Sequence, residues 1–305
     1  MPLRILALGM NKGDKSMQQM QQISQTKKIW RRFCRNRLAV LGLLILSFFV
    51  LLSTLAPFLT DYDPNRSNLR NRNLPPSKEH IFGTDDMGRD IFARTLYGGR
   101  ISLSVGLVSV GISLSIGVVL GAIAGFSGGI IDTVIMRIAD VFYSFPFMIL
   151  AITISSIFGP SIYNTMIILG ILSWPSSARL LRAEFLKLKN TDFSVAAGAV
   201  GASPARIMFR HILPNAISPL LVSATLGVAS AILSEAGLSF LGLGVPPPAP
   251  SWGNMLNRAR PLHILATMPW MWLPPGIAIF VIVLSINFVG DGLRDAFDPR
   301  QVVRT

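Results

Sequence analysis

Residues 38–59 read LAVLGLLILSFFVLLSTLAPFL, an apolar run without one charged side chain. A bilayer core about 30 Å thick is crossed by roughly 20 helical residues, so this run predicts a membrane-spanning helix. Lys27, Lys28, Arg31, Arg32, Arg35 and Arg37 precede it, while Pro57 and Asp61-Tyr62-Asp63-Pro64 end it. Lys and Arg are retained on the cytoplasmic side of a span, so the chain is expected to run from inside to outside here.

The same pattern recurs along the 305 residues. Further apolar runs cover about 101–126, 141–158 with Pro146 inside it, 162–176 with a possible extension beyond Pro175, 217–241, and 271–288 with Pro274 and Pro275 near its start. We therefore expect an all-α integral membrane protein with about six transmembrane helices. The expected organisation is a basic cytoplasmic tail (1–37), a first helix (38–59), an external loop (60–100), a five-helix core (101–290) with a cytoplasmic loop at 190–214, and a cytoplasmic tail (291–305). The segment 127–140 is read as a short connection and 177–214 as a polar loop.

Composition agrees with this reading. The chain is 51% hydrophobic and 14% charged, with a mean hydropathy of +0.53. Its net charge of +13 would suit a nucleic-acid-binding surface, but topology explains it more simply. Nineteen of the 28 Lys and Arg residues fall on the side assigned to the cytoplasm, and those in residues 60–100 are nearly matched by acids. Nucleic acid is not an expected partner; membrane lipid is. Cys34 is the single cysteine, so a disulfide framework within one chain is excluded. The first apolar run lacks an Ala-x-Ala pattern and is read as an uncleaved anchor. Gly117, Gly121 and Gly125 recur every fourth residue and predict a face on which another helix approaches closely.

The stretch 191–214, TDFSVAAGAVGASPARIMFRHILP, reads as helix, elbow, helix. Asn190 or Thr191 can cap a short helix rich in Ala and Gly, and Gly201 is suited to end it. Ser203-Pro204 then form a cap and first turn for a second helix. In that helix Arg206 and Arg210 are expected one turn apart, Met208 with Ile212 and Phe209 with Leu213 on apolar faces, and Pro214 as the interruption. Such a knuckle could lie on the lipid surface or serve as a docking knob for a soluble partner.

Ala196, Ala197, Gly201 and His211-Ile212-Leu213-Pro214 resemble the cytoplasmic EAA loop of ABC-importer permeases. Val195 stands where that family usually has Glu, and Gly198 where Arg usually follows the alanines. Three further segments are similar to the peptide/nickel branch, in particular its second permease subunit. They are Phe82-Gly83-Thr84-Asp85-Asp86-Met87-Gly88-Arg89-Asp90 leading to Gly98-Gly99-Arg100, Glu235-Ala236-Gly237-Leu238-Ser239-Phe240-Leu241-Gly242 with the prolines before Ser251-Trp252-Gly253, and Gly290-Asp291-Gly292-Leu293-Arg294-Asp295 through Pro299.

The resemblance implies a type I ABC importer permease fold, localisation in the inner or plasma membrane, and both termini in the cytoplasm. It implies a homologous second permease, two cytoplasmic ATPase subunits and an extracytoplasmic solute-binding protein as partners. It also implies uptake of di- or oligopeptides, with nickel or glutathione as alternatives in the same family. ATP and Mg would belong to the ATPase subunits, since no GxxxxGK[ST] loop occurs in this chain. The coupling residues implied are Val195, Ala196, Ala197, Gly198, Gly201, Ala202, Ser203, Pro204, Arg206, Arg210, His211 and Pro214.

Among the other candidates, Gly83, Thr84, Asp85, Gly88, Arg89 and Asp90 are read as a structural clamp in the external loop. The alternating acid spacing of a calcium loop is absent, so a turn cross-braced by Arg89 and Arg94 is expected instead. Glu235 is the acid inside an expected span; it either bonds a neighbouring helix or touches solute. His80 and His263 read as surface histidines, with no metal site. Asp291, Arg294, Asp295 and Asp298 form a solvated helix end that could brace the knuckle. An ATP-independent transporter and an intramembrane enzyme are the rival classes; neither an internal repeat nor HExxH or GxSxG supports them.

Overall fold

The computed structural model describes residues 27–297, which are helical almost throughout. Residues 27–35 are helical and lead into α1 (Arg37–Thr54). Asn36 divides the two, its side chain accepting the Ala39 N–H as an N-cap. The long helix α2 (Ile91–Ser127) starts well before residue 101, because Asp90 Oδ1 accepts the Ala93 N–H at 2.7 Å and caps it. Arg100, expected in a loop, therefore lies within a helix. Its guanidinium donates to the Ser53 and Thr54 carbonyls, satisfying orphan acceptors at the C-terminus of α1.

Two helices follow where one kinked span was expected. α3 (Gly129–Tyr143) and α4 (Phe147–Phe158) meet at 84° across Ser144–Pro146, so Pro146 starts a new helix rather than bending one. Residues 127–140 are thus mostly helix and not a connection. α5 (Ile162–Lys189) runs through Pro175 to Lys189, so much of the expected 177–214 loop is also helix. The reason is on its surface: Arg182 pairs with Asp132 and Arg179 with Asp140, two turns apart on α3. Charges that looked like loop solvation are ion pairs between helices.

α2 and α5 meet along the glycine face. A Cβ on Gly117 would lie 2.4 Å from Ser177 Cβ, one on Gly121 2.5 Å from the Ala178 carbonyl oxygen, and one on Gly125 2.6 Å from Phe185 Cβ. Only hydrogen fits at these positions, as the four-residue spacing predicts.

α6 (Asp192–Ala199) is short, and α7 (Leu213–Phe240) continues from Pro204 as a 37-residue helical stretch. Pro214 does not interrupt it. Residues Ile207–Ile212 form a π turn in which the Leu213 N–H reaches back to Met208. Widening the turn removes the clash between a proline ring and the carbonyl four residues back, so the helix absorbs Pro214. α8 (Trp252–Arg258) and α9 (Leu262–Thr267) fold in the next loop, and α10 (Leu273–Phe297) closes the bundle against α1 and α7.

Among the described residues, four helical stretches are long and apolar enough to cross a membrane, Arg37–Thr54, Ile91–Ser127, Pro204–Phe240 and Leu273–Phe297, and the bent α3–α4 pair makes up to a fifth. α5 is the sixth helix of the expected count; it is 28 residues long, with an apolar first half and a basic second half. The bundle has two ends. One carries residues 55–90 and 241–272 and is called here the loop end; the other carries α6 and is the elbow end. Ile91, Ile232, Trp252, Met271 and Ile282 form the core near the loop end, while Leu181, Phe185, Met208 and Ile212 do so near the elbow. The last two turns of α10 pack on Phe33 and Ala39, and Asp295 accepts from Asn36. It braces the start of the chain rather than the knuckle. Tail residues 1–26 and 298–305, including Pro299 of the last motif, lie outside the described residues.

Candidate functional site

At the elbow end, α6 finishes in a Schellman arrangement. The Ala202 N–H reaches the Ala197 carbonyl, the Gly201 N–H reaches that of Gly198, and Gly201 has φ +80°. Ser203 Oγ then accepts the Arg206 N–H with Pro204 at the first turn. Thr191 occupies the N-cap of α6, but its hydroxyl turns back to the Leu188 carbonyl, and so does that of Ser194. The short helix is thereby tied to the foot of α5.

Ser194 and Ala197 face inward, Gly198 packs near Ile207, and Met208 and Ile212 seat the π turn in the core. Outward stand Val195 at 60% exposure, Val200 at 85%, Ala196 and Gly201. Phe209, expected on a packed face, is 54% exposed. Arg206, Arg210 and Pro214 are exposed, and Ala202 and His211 half-buried. An apolar, small-residue surface rimmed by two arginines projects from the bundle, the kind of patch that marks a protein contact.

At mid-depth, α2, α5 and α7 line a partly open pocket of about 300 Å³, with Phe147 of α4 also in its wall. Its wall holds hydroxyls and no ionisable side chain, including Ser113, whose Oγ lies 3.3 Å from that of Ser177. Ser109 is 2% exposed and its hydroxyl has no hydrogen-bond partner.

The loop end is built differently. Asp85 Oδ1 accepts the N–H groups of Met87 and Arg89, while its Oδ2 takes the Arg89 Nε–H at 2.8 Å and lies 3.7 Å from Arg94 Nε. Thr84 pairs with Asp90 in an antiparallel bridge, and its hydroxyl joins the Asn71 carbonyl and the Leu74 N–H. Gly83 and Gly88 have φ of +72° and +70°, and a Cβ on Gly88 would fall 1.8 Å from the Asn68 carbonyl oxygen. Arg94 donates to the Pro64 and Pro248 carbonyls, and Arg258 pairs with Asp86 at 3.0 Å. The expected cross-braced turn is present as geometry, and it is stitched to the 241–261 segment as well.

Comparison with known proteins identifies the family. Residues 117–303 match the family described as binding-protein-dependent transport system inner membrane component, and residues 24–76 match the N-terminal TM domain of oligopeptide transport permease C. The chain belongs to this permease family. A putative peptide permease protein of Brucella suis is 49% identical over 269 residues, 88% of this chain and 89% of that one. The dipeptide transport system permease protein DppC of Alkalihalophilus pseudofirmus is 45% identical, covering 92% and 91% of the two chains. The oligopeptide transport system permease protein OppC of Bacillus subtilis is 41% identical, covering 95% and 94%. In fold, the chain is similar to the MetNI methionine ABC transporter in inward facing conformations, with a TM-score of 0.56 at 21% identity over 67% of this chain and 97% of that one. It is thus an integral inner membrane component of a transport system with an ABC-permease fold.

Within this permease, the expected site residues fall into separate groups. The elbow residues share the elbow end, with Ala197 turned inward; Gly83 to Asp90 share the loop end; Glu235 sits near the loop end of α7, fully buried and bonded to Ser102 and Ser239. Its Oε2 accepts from Ser102 of the neighbouring helix α2. His80 is buried, its Nδ1 2.9 Å from Asp90 Oδ2, because Asp90 is already fixed as the α2 cap and its second oxygen needs a partner. It is not a surface histidine. Sequence reading missed Ser102, Ser239 and the hydroxyl wall, since serine in membrane helices commonly bonds its own backbone. Only the recurrence of Ser223, Ser230 and Ser234 on one side of α7 hinted at it.

Proposed function

We propose that this permease is one of two membrane subunits of an ATP-driven importer for short peptides, and that residues 190–214 are its coupling loop. In this reading the elbow end faces the cytoplasm with both termini, and the loop end faces outward. A homologous permease completes the pathway, two ATPase subunits grasp the elbows, and a binding protein delivers solute. ATP and Mg are handled by the ATPases, and this chain catalyses no reaction.

The observation that carries the reading is the elbow. An exposed patch around Val195 and Val200 stands on α6, which is bonded to α5 at Leu188 and joined through one elbow to a 37-residue stretch. A push on the patch is passed to α5 and α7 together, and these helices line the hydroxyl-rich pocket. A neutral wall of hydroxyls, which both donate and accept, suits peptide amides irrespective of side chain. The names of the relatives supply the peptide class.

The Arg182–Asp132 and Arg179–Asp140 pairs support the same transmission, because they tie α3 to the foot of α5. Reconstituting the chain with its partner permease, ATPases and binding protein tests the proposal. Labelled dipeptide or tripeptide should enter vesicles only with ATP and with all components present. Uptake without the ATPases, or none with any peptide, would refute it.

A further inference from the structure

Glu235 is 0% exposed, in the penultimate turn of a membrane helix, where an unpartnered carboxyl would be costly. It is fully partnered. Ser102 Oγ of α2 donates to Oε2 at 2.9 Å, and Ser239 Oγ of α7 donates to Oε1 at 2.7 Å. Each hydroxyl also accepts: Ser102 takes the Trp252 N–H at 3.4 Å, and Ser239 takes the Val245 N–H at 3.0 Å. A hydroxyl donates once and can accept as well, so two arms run from the backbone through a serine to the same carboxyl.

The two backbone groups bracket residues 245–252. That loop is seated closely: a Cβ on Gly253 would lie 2.6 Å from Ala236 Cα, and one on Gly244 2.1 Å from Ser239 Oγ. Asn254 ties its own loop through the Val245 and Ala249 carbonyls, and Trp252 Nε1 donates to the Thr95 carbonyl of α2. Three pieces, α2, α7 and the loop, therefore meet on one carboxyl. The helix that carries it begins at the elbow, so Glu235 and Pro204 are the two ends of one rod about 50 Å long at 1.5 Å per residue.

We propose that Glu235 is a positioning residue, the latch that holds residues 245–252 closed over the loop end, and that it releases when α2 and α7 separate there. This rests on the importer reading above. Removing the carboxyl takes away the acceptor that orients both hydroxyls toward the loop backbone and so loosens both arms, while removing one serine breaks one. The elbow's movement then reaches the loop without resistance, and ATP hydrolysis loses its tie to solute delivery.

The complete reconstituted complex tests this in a Cys34→Ser background carrying Val245→Cys, a position 3% exposed. A membrane-impermeant charged thiol reagent should label it slowly at rest and at least tenfold faster during turnover with ATP, binding protein and peptide. Adding Glu235→Ala should make resting labelling as fast as turnover labelling and raise the ATP consumed per peptide several-fold. Ser102→Ala and Ser239→Ala should each give an intermediate rate, which serves if Glu235→Ala does not assemble. Equal protection at rest in all these backgrounds, or an unchanged ATP-to-peptide ratio, overturns the latch. Complexes that take up no peptide while labelling still follows turnover would refute the substrate reading and leave the latch standing.

Discussion

The loop end and the elbow end of this permease spend their polar groups in opposite ways. At the loop end, Asp85, Asp90, Arg89, Arg94 and His80 are all buried, and their side chains bond one another or backbone. At the elbow, the backbone satisfies itself through one Schellman turn and one N-cap, and the side chains of Val195, Val200 and Phe209 are left outward. The first arrangement holds residues 64–94 together through buried bonds. The second leaves an apolar surface uncovered, at small cost to the fold. In the proposed importer the first is a braced frame beside the latched loop 245–252, and the second is the handle the ATPase would hold.

Four substitutions separate the two regions, beginning with the largest expected effect. Gly88→Val places a side chain on the Asn68 carbonyl in a left-handed backbone, so the loop end should fail to form and folded protein should be lost in detergent size-exclusion profiles. Asp85→Ala strands two buried guanidinium groups and should cost about 3–5 kcal/mol, read as a large drop in thermal unfolding temperature. At the elbow, Gly201→Val meets open space but keeps φ +80°, so it should cost only about 1–2 kcal/mol while ATP-driven uptake collapses. Val200→Ser should change stability by less than about 0.5 kcal/mol yet weaken co-purification of the ATPases. If the two elbow variants lose stability as the loop-end variants do, the contrast between frame and handle is wrong.

How much of this was legible in the sequence follows from range. Apolar runs and the GxxxG face are local patterns, and they find the main helices and the glycine face of α2, though not that α5 is the helix that packs on it. The elbow is legible for the same reason, since Gly201 and Ser203-Pro204 act within a few residues. Pairings across the chain were not legible: Arg182 to Asp132, Ser102 to Glu235 and Arg258 to Asp86 join segments that only packing brings together. Those pairings explain two of the boundary errors. Charged residues at 179–189 and 132–140 looked like loops because a helix pair that neutralises its own charges has the same composition as a solvated connection. Pro214 was misread because a π turn leaves no signature in residue type, although it is what lets the elbow and α7 form one continuous element.

The most direct test of the central claim is a site-specific crosslink from the tip of the elbow. With Cys34→Ser and Val200→Cys in native membranes, a short thiol-reactive photocrosslinker should capture an ATPase subunit, with a yield that changes when ATP is bound. Capture of the solute-binding protein instead, or labelling of the same position from outside intact cells, would contradict the account.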